Sequence, residues 1–203
     1  MCIRDRSSLI NITRVDGVTT AATGINYGNV LYQGMGSVIS LGDKDNPVMK
    51  SKAYMAVNLS AAMLDSFDGS RAATWPKFLR TLDEAASLNG RRLKSNQEWH
   101  GEFSKTDLNA LIPVLAGEMP LFVTVIRAAD IRQVLALKKS YPKMDLVLVH
   151  ATEAWMLADE IAKAGVPVIV NPESNLPFDF DELGATLKNA ARLAEAGVQL
   201  SIS

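Results

Sequence analysis

The 203-residue chain has very little cysteine and histidine, no excess of charge of either sign and no long apolar run. Its single cysteine, Cys2, excludes an internal disulfide and a Cys-rich zinc module. The 21 Lys and Arg against 22 Asp and Glu give a net charge of −1, so the basic excess that nucleic-acid binding needs is missing. The apolar runs are far shorter than the roughly 18 residues of a membrane span. We therefore expect neither nucleic-acid binding nor a membrane span.

The composition, 48% hydrophobic and 21% charged, is that of a folded chain with a sizeable core. In the C-terminal half, short apolar runs alternate with amphipathic segments, which predicts β-strands and α-helices in turn. Glycines that follow Ala116, Ala164 and Ala196 predict helix ends in the left-handed conformation. Such alternation indicates a parallel sheet, in a (β/α) barrel or a doubly wound fold. The predicted strands are 120–126, 145–149, 166–170 and 198–202, and the predicted helices 128–139, 153–164 and 181–196.

The N-terminal half is less regular. We predict helices over 8–15, 70–88 and 107–115, and strands over 18–23, 37–41 and 53–59. Five of the thirteen glycines lie between residues 24 and 42, which predicts a loop region, and its spacing matches no phosphate-binding motif. Residues 1–7 carry alternating charge and lack the apolar core of a signal peptide. We interpret them as a non-native start.

Candidate functional residues stand where predicted strands end, because that edge of a parallel sheet carries the ligands. His150 closes the 145–149 strand and is either a metal ligand or general base, or a histidine held there for structural reasons. Four more candidates lie at or just beyond strand ends: Thr124, Arg127, Glu153 and Asn171. Glu153 is equally well explained as a carboxylate that compensates a helix dipole. The second histidine, His100, lies in a polar connection, and we interpret it as a structural residue.

Several segments, taken in order, resemble the amidohydrolase superfamily, in particular the imidazolonepropionase-like amidohydrolases of bacteria. They cover most of residues 8–203, and their order and spacing carry the resemblance. The segments are 12–20 (ITRVDGVTT), 33–36 (QGMG), 69–73 (GSRAA), 107–115 (DLNALIPVL), 127–131 (RAADI), 153–155 (EAW), 164–172 (AGVPVIVNP), 183–185 (LGA) and 189–193 (NAARL).

The resemblance implies an α/β fold, a partial (β/α)8 TIM-type barrel of the metal-dependent hydrolase kind. In this family a divalent metal, most often zinc, activates water for attack on an amide or cyclic C–N bond. His150 matches the strand-six ligand, whereas Thr124 stands at the strand-five histidine position. The strand-one His pair would precede residue 8 and the strand-eight aspartate would follow Ser203. We therefore expect residues 8–203 to be a barrel fragment, incomplete at both ends, that is inactive alone and does not retain the metal.

For the full-length parent we expect a hydrolase of non-peptide C–N bonds with a small-molecule substrate. His150 is the expected metal ligand, with Thr124, Arg127, Glu153 and Asn171 near the substrate, and no catalytic residue is assigned. Thr124 motivates an alternative, a non-catalytic barrel homologue with a degenerate metal site that binds a small molecule or supports an oligomer. A self-contained doubly wound sheet is a third interpretation. The sequence leaves open a homo-oligomer and both a periplasmic and a cytoplasmic location.

Overall fold

The structure, a computed structural model, describes residues 9–23, 30–42, 46–60, 70–172, 176–177 and 180–203. The expectations for residues 1–7, for 24–29 of the glycine-rich region and for Gly69 lie outside the described residues. Seven strands of the described part form one mixed sheet in the order of the chain. They are β1 (Thr20–Thr23), β2 (Tyr32–Ser40), β3 (Val48–Asn58), β4 (Leu121–Val125), β5 (Leu146–His150), β6 (Val168–Val170) and β7 (Leu200–Ile202).

Six α-helices accompany the strands in the described residues. Strands β3 to β7 pair in parallel, and helices connect them, which confirms the predicted α/β class. The first three strands pair antiparallel. No helix in the described part combines the length and hydrophobicity that crossing a bilayer needs. The helices are α1 (Leu9–Val15), α2 (Arg71–Ser87), α3 (Lys105–Leu115), α4 (Ala128–Ser140), α5 (Ala158–Ala164) and α6 (Asn189–Glu195).

The glycine-rich region contains more strand than the sequence predicts. Strand β2 begins at Tyr32, well before the predicted 37–41, and includes Gly34 and Gly36. Gly34 has a φ of +92° beside a register shift in the β2–β3 pairing, a use of glycine typical of bulges. A Cβ on Gly36 would lie 1.9 Å from the Tyr54 ring. Both glycines thus serve the strand rather than a loop.

The main core lies between the parallel strands and the helices. Val57, Val123, Leu148 and Val168 form one continuous row across four strands, and all are fully buried. Side chains of α2, α3 and α4, such as Phe78, pack against this face. Full burial of each such side chain is worth about 1.5–3 kcal/mol, so this layer fixes the strands and hence the edge where they end.

The predicted helix over 181–196 is wrong in its first half, since α6 spans only Asn189–Glu195. The reason lies in Gly184, whose backbone groups bond to side chains of another loop. Its N–H donates to Glu153 Oε1 at 3.0 Å and its carbonyl accepts from Trp155 Nε1 at 2.8 Å. Tertiary hydrogen bonds therefore override helix propensity here. The predicted 153–164 helix is a 3₁₀ turn at Ala154–Leu157 followed by α5.

Candidate functional site

The five predicted site residues all lie at the edge where the parallel strands end, which we call the carboxyl edge. Thr124 is the penultimate residue of strand β4, and Arg127 lies two residues after the strand. His150 ends β5 with Glu153 shortly after, and Asn171 directly follows β6. Loops at this edge of an α/β sheet carry ligands while the strands supply a rigid support. The structure thus brings the predicted residues to one edge.

His150 occupies a strained turn. Its φ is +67° and that of the next residue, Ala151, is +44°, two consecutive non-glycine residues in the left-handed region. Such conformations cost about 1–3 kcal/mol each and cluster at functional sites. Hydrogen bonds hold the turn: the Ala151 N–H donates to the Val125 carbonyl at 2.8 Å. The strained turn makes His150 a candidate functional residue.

Asn189, a residue that sequence reasoning missed, fastens this turn from the start of α6. Its Nδ2 donates to the Ala151 carbonyl at 3.1 Å, and its Oδ1 accepts from the Trp155 N–H at 3.0 Å. The side chain is buried; the bond to the Ala151 carbonyl is shielded from water, and the bond from the Trp155 N–H is partly buried. The available signal was a small polar residue in an otherwise apolar helix face.

Burial lowers the pKa of the His150 imidazole below its ordinary value, because desolvation penalises the charged form. The neutral imidazole is therefore favoured at neutral pH. That is the form which accepts a proton or binds a metal ion. These are the two functional roles that the sequence predicts for His150.

Thr124 and His150 are not register partners. Thr124 pairs with Asn58 and Val149, whereas His150 pairs with Val125. Successive side chains point to opposite faces of a strand, so Thr124 belongs to the row on the face away from the helices. Both Thr124 and Asn58 are buried there. The role of Thr124 toward a substrate stays a prediction.

Glu153 binds two backbone N–H groups. Its Oε2 accepts from Ala128, the first residue of α4, at 2.9 Å, and its Oε1 accepts from Gly184 at 3.0 Å. The first contact agrees with the expectation of a carboxylate placed at a helix N-terminus, although the helix is α4 rather than the one that follows Glu153. The carboxylate joins the loops that follow β4, β5 and β6. Its predicted role at the substrate stays a prediction.

A four-residue ion network, which we call the Arg–Asp network, crosses the same edge. Arg71 Nε lies 3.3 Å from Asp130 Oδ2, and Arg71 Nη2 bonds to Asp181 Oδ2. Arg127 Nε lies 3.5 Å from Asp181 Oδ1. Burial raises the pKa of Asp130, while Arg71 and then Arg127 oppose that rise. Of this network, only Arg127 is predicted from the sequence as a site residue.

The described residues do not fit a complete metal site. No group of three or more His, Cys, Asp or Glu side chains in the described ranges could hold a metal ion, whereas a catalytic zinc normally takes three protein ligands. His150 is one candidate ligand at the carboxyl edge. Its remaining partners would have to come from outside the described residues.

A crystal structure of an amidohydrolase from Thermotoga maritima MSB8 is similar to this chain, with a TM-score of 0.76 and 19% identity. The likeness covers 92% of this chain and 50% of that protein. The chain therefore has an amidohydrolase-like fold and spans half the length of that relative. No protein-family model matches the sequence, and no curated protein matches it significantly. At this identity the likeness concerns the fold alone.

Proposed function

We propose that this chain is part of a hydrolase that acts on carbon–nitrogen bonds other than peptide bonds. The observation that carries the proposal is the placement of a strained, half-buried histidine at the carboxyl edge of an amidohydrolase-like sheet. Protein folds host many activities, so the fold alone is insufficient. The strain at His150 adds a feature of the site itself. An amide or a cyclic amide is the substrate class that the resemblance to the imidazolonepropionase-like branch implies.

The proposed chemistry of the chain's own residues is limited to binding and positioning. His150 would supply one neutral imidazole to a divalent metal, zinc by preference, in the whole protein. Arg127 and Asn171 would contact the substrate beside it, because they stand at the ends of the neighbouring strands. Since the described residues do not form a complete metal site, no step of the reaction is assigned to the metal.

The test compares metal content in the whole protein and its His150→Ala variant, measured by plasma mass spectrometry after gel filtration. His100→Ala is the matched control, because the His100 side chain is 89% exposed. We expect loss of a metal ligand to lower metal affinity by about tenfold or more, with the control unchanged. Unchanged metal content in His150→Ala would remove this residue from the site. We expect the 203-residue chain alone to show no metal-dependent turnover, and measurable turnover would contradict that expectation.

A second candidate function is non-catalytic binding of a small molecule on the same fold. Thr124 favours it, because a buried neutral hydroxyl stands where the resemblance expects a histidine ligand. A hydroxyl is a poor zinc ligand. Binding of metal by the whole protein, with turnover of an amide, would rule this candidate out.

A further inference from the structure

We propose that Arg71 and Arg127 form a carboxylate-binding pair at the carboxyl edge, which Asp181 fills from within the chain. Asp181 places one carboxylate oxygen against each arginine: Oδ2 on Arg71 Nη2 and Oδ1 toward Arg127 Nε at 3.5 Å. Two guanidinium groups, one on the first residue of α2 and one just before α4, thus meet one carboxylate. A ligand carboxylate has the same charge and shape and can take the place of Asp181.

Arg127 keeps most of its binding capacity for a ligand. Among the residues that the structure describes, Asp181 is its one ion-pair partner, and the Arg127 side chain is 41% exposed. A guanidinium carries five N–H donors in a planar fork that matches a carboxylate. The single contact at 3.5 Å uses little of this capacity. Arg127 can therefore make a shorter, two-point contact to an incoming carboxylate.

Arg71 is held in position by a separate acid. Asp130 lies 3.3 Å from Arg71 Nε, and its side chain is only 6% exposed. This contact uses the Nε side of the guanidinium and leaves the Nη2 group on Asp181. If Asp181 leaves, Arg71 keeps one carboxylate partner, Asp130. Replacement of Asp181 by a ligand carboxylate also leaves the charge of the four-group cluster unchanged.

Asp181 is buried, but the apolar side chains of the segment that carries it contribute little to holding the segment in place. Residues 180–188 form neither an α-helix nor a strand, and Phe180, Leu183 and Leu187 are 87%, 68% and 77% exposed. A segment that buries little apolar surface opens at low free energy. The contacts of Gly184 to Glu153 and Trp155 tether its middle. We infer that the segment exchanges Asp181 for the ligand without leaving the edge.

This inference extends the proposed function by naming a carboxylate as part of the substrate, and only that link rests on the proposed function. Binding can be measured without turnover. Glutarate binding by a protein that hydrolyses no amide would support the carboxylate site and contradict the proposed hydrolase function. Amide hydrolysis in a protein that binds no carboxylate would do the reverse.

The experiment is calorimetric titration of the 203-residue chain with sodium glutarate, with sodium phosphate and sodium chloride at matched ionic strength as comparison arms. We expect Asp181→Asn, which removes the internal carboxylate, to tighten glutarate binding about tenfold or more. Arg127→Gln should abolish it. Glu195→Gln, the same loss of charge at an exposed position, should leave it unchanged.

Amide hydrogen exchange in the unmodified chain tests the proposal even if the Asp181→Asn variant does not fold. Glutarate should speed amide exchange in residues 182–188 relative to chloride, because the Asp181 anchor is released. Equal glutarate affinity with and without the Asp181 carboxylate would contradict the replacement of Asp181 by the ligand. Absence of glutarate binding by Asp181→Asn would contradict the site itself. If that variant does not fold, an unchanged rate of amide hydrogen exchange in the unmodified chain would contradict the site instead. Tighter binding of phosphate than of glutarate would overturn the carboxylate as ligand class.

Discussion

The two edges of the parallel sheet reach left-handed backbone conformations in different ways. At the amino edge, where helices end and strands begin, Gly117, Gly165 and Gly197 have φ values of +76°, +62° and +79°. At the carboxyl edge, His150 and Ala151 adopt φ values of +67° and +44°. Glycine reaches this region without steric cost, whereas a residue with a Cβ does not. Asn89, just after the end of α2, also has a positive φ of +48°, but asparagine tolerates this region better than most residues with a Cβ. The amino edge is thus the less strained of the two, and the carboxyl edge carries more strain.

The difference extends to the polar groups. At the carboxyl edge, Glu153 and Asn189 bind backbone groups of neighbouring loops, and the Arg–Asp network adds charged contacts. At the amino edge, the cavity between the ends of α2, α3 and α4 is lined largely by small and apolar residues such as Ala85, Ala116 and Pro142. Glycine turns suffice at the amino edge, where the chain only connects helices to strands. Strain and buried polar contacts concentrate where side chains must be placed.

The largest effect should follow from placing a side chain at the tightest amino-edge turn. A Cβ on Gly117 would lie 2.4 Å from the Lys143 carbonyl oxygen. We expect Gly117→Ala to lower the free energy of unfolding by about 3 kcal/mol, since left-handed strain and the clash add. Gly165→Ala is the control, because its Cβ would meet no atom within 4 Å, and about 1 kcal/mol is expected there. Equal losses in urea denaturation would show that the clash contributes nothing.

Removal of the Asn189 side chain should produce the next largest effect. Asn189→Ala leaves the Ala151 carbonyl and the Trp155 N–H without their partner at a buried place. We expect a loss of about 2 kcal/mol in unfolding free energy, because unsatisfied buried polar groups are costly. Asn96→Ala, at an exposed position, should change stability by less than about 0.5 kcal/mol. A loss no larger in Asn189→Ala than in this control would mean that the turn at His150 holds itself.

The sequence predicted the amino edge better than the carboxyl edge. The Ala–Gly pairs that close the helices forecast left-handed glycines, and φ at Gly117, Gly165 and Gly197 confirms them. This signal is local, because a helix end and its glycine are neighbours in the chain. The alternation of apolar runs also predicted the parallel strands. The shared position of His150 and Arg127 at one edge follows from that alternation alone.

The contacts of the carboxyl edge could not be predicted from the sequence because they join distant residues. Arg71 and Asp181 are 110 positions apart, and Ala151 and Asn189 are 38 apart. The predicted helix over 181–196 failed for the same reason, since Gly184 bonds to Glu153 and Trp155 from another loop. Local propensity carries no information about such partners. The (β/α)8 barrel and the metal stay predictions.

The smallest effect, and the sharpest separation of the two edges, should come from Ala151→Gly. Glycine relieves the left-handed strain at φ +44°, worth about 1–2 kcal/mol, but it also adds unfolded-state entropy that costs about 0.5–1 kcal/mol. Loss of the buried Ala151 methyl group costs a further ~0.8 kcal/mol. The three contributions nearly cancel, so the expected change in the free energy of unfolding, measured by urea denaturation, is smaller than about 0.5 kcal/mol. Gly165→Ala, the reverse change at the other edge, should instead destabilise the chain. If Ala151→Gly lowers the free energy of unfolding by as much as Gly165→Ala does, the carboxyl-edge turn is relaxed despite its φ. Strain could then no longer be an argument for a functional role of His150, which would have to rest on its metal binding alone.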